Sequence, residues 1–473
     1  MMKDMISPRS SCGSISAENF SRLHPKELYF ALLEPQPHRS TLEQSQRFLY
    51  QQLNRVEFMA SDLPPKMEGL MDWMRSNTAS VGEQYRDYIT QRRNGQGQRY
   101  FPTKSHALYF LKGVAPTKLV DGAWLYGLVS QWRDSRYVEL IQIYLEELGD
   151  GDPEKNHVLI YKKLLATHEC THWENLPDSN FIQGAIQLSL GQHASEFLPE
   201  IIGFNLGYEQ LPLHLLICAY ELAEWDIDPY YFTLHVTIDN ADTGHAARAV
   251  QAVIDAMPQL GDKDSFYQRV RNGYQLNSLG ADTNQIIADF DLEQELLSIL
   301  ATKAVTGSQL HSDYCRIGGK TVNEWLAAPK QIPEFVEILV KTGWVRRNED
   351  PSNSRFWNLL VGEKGAMFGV FNTYELQVIS DWIAGESLPV SPAMNRRYRK
   401  RRQGFDSTSQ ETGESKGRSD EFSAEQNLLT DKLARAPDEN AAMDLLVPWL
   451  SPIYHHTPLG LMATRIFTQR LRA

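Results

Sequence analysis

Paired cysteines, long apolar runs and alternating strand patterns are all scarce in this sequence, and cations are outnumbered. The four cysteines, Cys12, Cys170, Cys218 and Cys315, lie far apart with no CxxC spacing, which excludes a disulfide framework and fits reduced thiols. No window reaches the roughly 20 apolar residues that a membrane-spanning helix needs. The opening MMKDMISPRSSCGS lacks the continuous apolar stretch of a secretory signal, so a cytoplasmic protein with no membrane partner is expected. Lys and Arg number 47 against 59 Asp and Glu. Nucleic-acid binding is therefore not expected, because neutralising phosphates requires a surplus of cations on some face. The one dense basic run, Arg396 to Arg402, opens a polar stretch and reads as solvated charge.

What the sequence does have is helical periodicity. Apolar residues recur at three- and four-residue spacing over Thr41 to Met59, then Leu70 to Met74, and densely from His106 to about Gln259. That pattern predicts helices over Leu119 to Trp132, Val138 to Glu147, His157 to His168, Asn180 to Leu190, Phe197 to Glu209, His214 to Glu224 and Tyr230 to Met257. Successive amphipathic helices bury their stripes only against one another, so an all-α bundle is expected. The organisation reads as an N-terminal arm (1–40), a helical bundle (41–260), a second mainly helical unit (283–386), a flexible linker (391–423) and two docking helices (424–473). No internal repeat is present. Trp325, Trp344, Phe356, Trp357, Met367, Phe368, Phe371 and Trp382 are the candidate core of the second unit. The linker, rich in Ser, Glu, Lys and Arg, has too little apolar area to offset chain entropy.

Four places in the bundle could carry chemistry. In YLEELGDGDPEKNH, Glu147 and His157 are ten residues apart, about 80° off a common face on an unbroken helix. Gly149, Gly151 and Pro153 break that helix and could bring both side chains to one point, although GDGDP also reads as an ordinary interhelical turn. FLPEIIGFNLGYE sets Glu200 and Glu209 among strongly apolar residues, where a carboxylate is costly unless paired or metal-bound; Glu200 is expected at the water-facing edge. YYFTLHVTIDNADTGH places His235, Asp239 and Asp242 within about 60° on a helix face, with His245 just beyond. An imidazole and carboxylates one turn apart suit a first-row divalent metal; the competing meaning is helix capping by Asp239 or Asp242. In LVDGAWLYG, Asp121 is a further ligand or, more ordinarily, a cap. Tyr144 and Tyr208 either line a site or pack the core. His311 with Cys315, and the pair His455-His456, read as local structure and as surface residues respectively.

A carboxylate on one helix, a carboxylate then His on the next, a lone Glu on a third and HxxxD on a fourth resemble the haem-oxygenase-like diiron oxidases, or iron-containing redox enzymes. The resemblance spans about residues 105–258. It implies a haem-oxygenase-like helical bundle binding two Fe(II) ions through Glu147, His157, Glu209, His235 and Asp239, with Asp121 and either Asp242 or His245 completing the set. Glu147 and Glu209 are the expected catalytic, mode-shifting carboxylates. Two positions depart from the family pattern: Asp242 stands where HxxxDxxH has its second His, and Asp121 replaces a Glu. The resemblance further implies dioxygen as co-substrate and oxidation of a small amino-acid-derived or fatty-acid metabolite. The competing reading is a metal-independent ligand-binding or scaffold protein of a biosynthetic pathway. A homodimer is left open by the sequence.

Overall fold

Side chains that turn apolar every third or fourth residue must be buried by packing helix on helix, and the computed structural model of the chain is built this way. It describes residues 24–238, 244–308, 311, 314–361, 365–387 and 419–472. First come α1 (Pro25–Leu32), α2 (Arg39–Val56) and α3 (Leu70–Arg93). The central part comprises α4 (Lys104–Lys118), α5 (Val138–Glu147), α6 (His157–Thr167), α7 (Asp178–Gln192), α8 (Leu198–Tyr208) and α9 (Leu213–Glu224). It continues with α10 (Tyr230–Ile238), α11 (His245–Asp255) and α12 (Lys263–Gln275). Then follow α13 (Thr283–Ala288), α14 (Leu292–Gly307), α15 (Val322–Leu326), α16 (Ile332–Lys341), α17 (Arg355–Val361) and α18 (Thr373–Ala384). The last helices are α19 (Ser419–Ala434), α20 (Glu439–Leu446) and α21 (Pro458–Leu471). Among the described residues the only strands are β1 (Arg316–Ile317) and β2 (Lys320–Thr321), a short antiparallel hairpin. The fold is all-α, as expected.

Two apolar clusters hold these helices. One gathers α1, α2, α5, α7, α8, α11 and α12 with the three C-terminal helices, around Trp124, Phe181, Phe204, Met443 and Phe467. The other joins α4, α6, α9 and α10 to α13–α18, and Ile379 and Trp382 of α18 sit in it beside Phe110 and Tyr161. Of the aromatic residues expected in that second unit's core, Trp325, Phe371 and Trp382 are buried, whereas Phe368 is exposed. The basic run Arg396 to Arg402 and most of the expected linker lie outside the described residues.

Local geometry departs from the sequence expectation in two places. Leu119 to Trp132 is not an α-helix: after Gly122, at φ 80°, the chain forms a 3-10 run over Ala123–Gln131. Apolar spacing cannot separate turns of three from turns of four, and the run is pressed onto α7, where a Cβ on Gly127 would lie 2.5 Å from the Gly191 carbonyl oxygen. The stretch Tyr230 to Met257 is likewise two helices, α10 and α11, and residues 239–243 between them, including Asp239 and Asp242, fall outside the described residues. Helices α8 and α12 pack backbone to backbone. Gly203 and Gly273 allow it, since a Cβ on either would overlap the carbonyl of Val270 or of Glu200.

Candidate metal centre

Six buried side chains from six segments of the central helices converge. Asp121 lies in the turn after α4, Glu147 ends α5, His157 begins α6, Glu209 directly follows α8, His235 is on α10 and His245 begins α11. Among the described residues they form two groups. Asp121, Glu147, His157 and His235 make one, and Glu147, Glu209 and His245 make the other, with the donor atoms of each group within 4.8 Å of one another.

The broken helix after Glu147 does bring it to His157. Gly149, Asp150 and Gly151 all take positive φ, at 67°, 51° and 83°, a conformation that glycine tolerates and other residues adopt at a cost. This reverses the chain within a few residues. Asn156 then caps α6 by accepting the Leu159 N–H at 2.9 Å, while its amide nitrogen donates to the Leu148 carbonyl at 3.1 Å. His157 Nδ1 thereby stands 2.5 Å from Glu147 Oε2.

Asp121 is not a helix cap. Its oxygens accept the hydroxyls of Tyr208 at 2.6 Å and Tyr231 at 2.5 Å, and Lys118 Nζ donates to the Tyr208 hydroxyl at 3.0 Å. His235 donates from Nδ1 to the Tyr231 carbonyl at 2.8 Å, which leaves Nε2 facing Asp121 Oδ2 at 3.4 Å. His245 spans two carboxylates, with Nδ1 3.0 Å from Glu209 Oε2 and Nε2 2.8 Å from Glu146 Oε2. Arg248 also pairs with Glu146.

Charge follows from this crowding. Burial opposes ionisation of Asp121, yet Lys118 and the neighbouring His235 and His157 hold it well below the usual carboxylate range. Burial raises Glu209 in spite of His245. Burial and the neighbouring His157 lower His235, against the opposing pull of Asp121. Burial also works against protonation of His157 and His245, but Glu147 raises the first and Glu209 with Glu146 raises the second well above the ordinary 6.5.

The donor set fits a metal. Among the described residues, Glu147 Oε2, His157 Nδ1, Glu209 Oε1 and His235 Nε2 are buried atoms without a hydrogen-bond partner; the short approach of the first two lacks the alignment of a hydrogen bond. Each such atom costs about 1–3 kcal/mol, and four of them in one small volume are offset if they bind a cation. Carboxylates and imidazoles without thiolate suit iron or manganese.

The sequence missed several residues here. Tyr231, Lys118 and Glu146 resemble ordinary core or surface positions in the periodic pattern, and only the doubled Glu146-Glu147 was a signal. Tyr208 lines the site, whereas the Tyr144 hydroxyl donates to the Leu450 carbonyl at 2.5 Å and belongs to the core. Glu200, expected at a water-facing edge, is buried and pairs with Arg269 at 2.6 Å, because α12 covers that face of α8. His455, expected on the surface, is buried and hydrogen-bonded to Asn156 at 3.0 Å; the C-terminal helices fold back over the α5–α6 turn. His311 and Cys315 join neither group.

Among the described residues no helix is long and apolar enough to cross a membrane. No curated protein and no solved structure matches the chain. One protein family does: residues 108–278, the stretch that supplies all six of these side chains, match the family described as iron-containing redox enzyme.

Proposed function

We propose that the chain is an iron-dependent oxidoreductase that holds two Fe(II) ions and uses dioxygen to oxidise a small metabolite, amino-acid-derived or fatty-acid-like. One observation carries the reading: Glu147 faces both donor groups. Its Oε2 is toward His157 and its Oε1 lies 3.5 Å from His245 Nδ1, so this one carboxylate belongs to both donor groups and could serve a cation in either. Asp121, His157 and His235 complete one side; Glu209 and His245 complete the other, where Asp239 and Asp242 remain further candidates on the sequence resemblance. The family match over 108–278 supports iron and redox chemistry.

Iron held by these residues would supply the electrons needed to reduce dioxygen, a task no ordinary side chain performs. The protein's part is orientation and exclusion of water. The Tyr208 and Tyr231 hydroxyls lock the Asp121 carboxylate in one rotation. The Tyr231 carbonyl fixes His235 with Nε2 inward, and Glu146 fixes His245 with Nδ1 inward, the arrangement in which an outer acceptor sets an imidazole's tautomer. Leu145, Leu148, Phe204 and Val250 are fully buried within the cluster that packs this region, which strengthens every charge interaction inside.

Anaerobic titration tests this. The purified protein is expected to bind two Fe(II) per chain, Glu147→Ala to lose both, and His235→Ala or His245→Ala to retain one. Failure of the unsubstituted protein to bind iron, or an unchanged stoichiometry in Glu147→Ala, sinks the reading. Consumption of dioxygen by the iron-loaded form then separates an oxygen-using enzyme from a metal-independent binding or scaffold protein.

A further inference from the structure

The α5–α6 turn sets the positions of both Glu147 and His157, and it is held from outside the stretch 108–278. Three consecutive residues in the left-handed region, two of them Gly149 and Gly151, give this turn little intrinsic preference for its observed form. The C-terminal residues supply the missing restraint. Arg465 donates to the Gly151 carbonyl at 3.0 Å. A Cβ on Gly151 would lie 2.7 Å from Arg465 N, so α21 sits directly on the turn. Arg472 reaches Asp150 at 3.3 Å. Tyr144, three residues before Glu147, donates to the Leu450 carbonyl. The innermost tie is His455, fully buried, beside Asn156.

The Asn156 amide is oriented without ambiguity. Its oxygen accepts the Leu159 N–H, so its nitrogen is the donor to both the Leu148 carbonyl and His455 Nδ1. His455 Nδ1 is therefore an acceptor and the ring is neutral; burial, with His456 and Lys162 nearby, disfavours its protonation. One amide thus ties together the residue after Glu147, the residue before His157 and the C-terminal segment.

We infer that His455 is a positioning residue for the metal centre: through Asn156 it fixes the turn that sets Glu147 against His157, so the C-terminal helices are a working part of the site. The inference rests on the two-iron reading above. Removing a group hydrogen-bonded directly to a ligand typically weakens metal binding by about tenfold to a hundredfold; His455 acts one residue further out, so the lower end is expected.

The test uses the full chain with Co(II) as a spectroscopic probe and Fe(II) for affinity. His455→Leu keeps the volume and removes the acceptor; His455→Asn offers an oxygen near the position of Nδ1. The expected result is an altered Co(II) visible spectrum and a Kd raised about tenfold in His455→Leu, with both restored in His455→Asn. Thermal melting of the metal-free variants checks that each is folded. Should His455→Leu lack a cooperative melt, Arg465→Met, which removes only the tie to Gly151, takes its place with the same expectation. Unchanged spectrum and affinity in the folded variant overturn this inference alone, whereas absence of metal binding in the unsubstituted protein overturns the two-iron reading and the inference with it.

Discussion

His245 is bracketed by carboxylates on both ring nitrogens, and this decides how the centre responds to pH. In the metal-free protein Glu209 and Glu146 hold the imidazolium against the opposing effect of burial, raising its pKa well above 6.5. A raised folded-state value means that the stabilisation is fully present below the unfolded histidine pKa and is lost as pH rises through the elevated one. Urea unfolding of the metal-free protein should therefore show the unsubstituted chain ahead of His245→Gln by the widest margin below about pH 6.5, the margin narrowing as pH rises; a margin that grows with pH would contradict the assignment. Metal must displace the Nδ1 proton, so iron affinity should increase over the same rise. Tyr231 makes a second prediction. It donates its hydroxyl to Asp121 and its carbonyl accepts from His235, and Tyr231→Phe removes only the first. Losing that bond frees one rotation of Asp121, and on the two-iron reading titration should show about a tenfold weaker Kd at one iron of the pair; equal loss at both would show a general structural effect instead.

Single elements explain which expectations survived. The turn between α5 and α6 could be read in the sequence because Gly149, Gly151 and Pro153 interrupt an otherwise helical stretch. His235 and Glu209 stood out as polar groups in apolar surroundings. Asp121 reads from its neighbours as a cap more readily than as a ligand, because a short polar residue beside a glycine usually is one, and nothing in the periodicity shows that Tyr208 and Tyr231 from distant helices occupy it. Glu200 was misplaced because its partner Arg269 sits on α12, beyond the expected end of the bundle. Gly122 belongs to the same scale. It adopts φ 80°, and a Cβ there would lie 3.1 Å from Glu147 Cβ and 3.3 Å from the Tyr144 ring. Gly122→Ala is expected to cost about 1–3 kcal/mol in folding free energy and to displace Glu147, visible as reduced iron stoichiometry. A variant with native stability and two irons would show that the turn relaxes freely.

At the scale of the molecule, the helical class was legible from periodicity, while the packing of distant segments was not. Contacts such as Asn156 with His455 join residues about 300 apart in sequence, and no local pattern encodes them. The six inward side chains come from six different segments, so a bound cation ties much of the central bundle together. Anything that binds the folded form alone stabilises it by mass action, about 2.7 kcal/mol at a hundredfold excess over Kd. Differential scanning calorimetry should accordingly show a higher melting temperature with Fe(II) under anaerobic conditions, reversed by a chelator, and little such gain in Glu147→Ala.

The seating of α21 on the turn at Gly149 to Gly151 also has a consequence in time. Ribosomes extend a chain at about 5–20 residues per second, so the roughly 300 residues separating the turn from its cover take on the order of 15–60 s to make. Throughout that interval a nascent chain holds the turn bare. On the two-iron reading, iron offered to an unfinished polypeptide would meet a half-formed cradle, and productive loading is expected only once translation has passed Arg465.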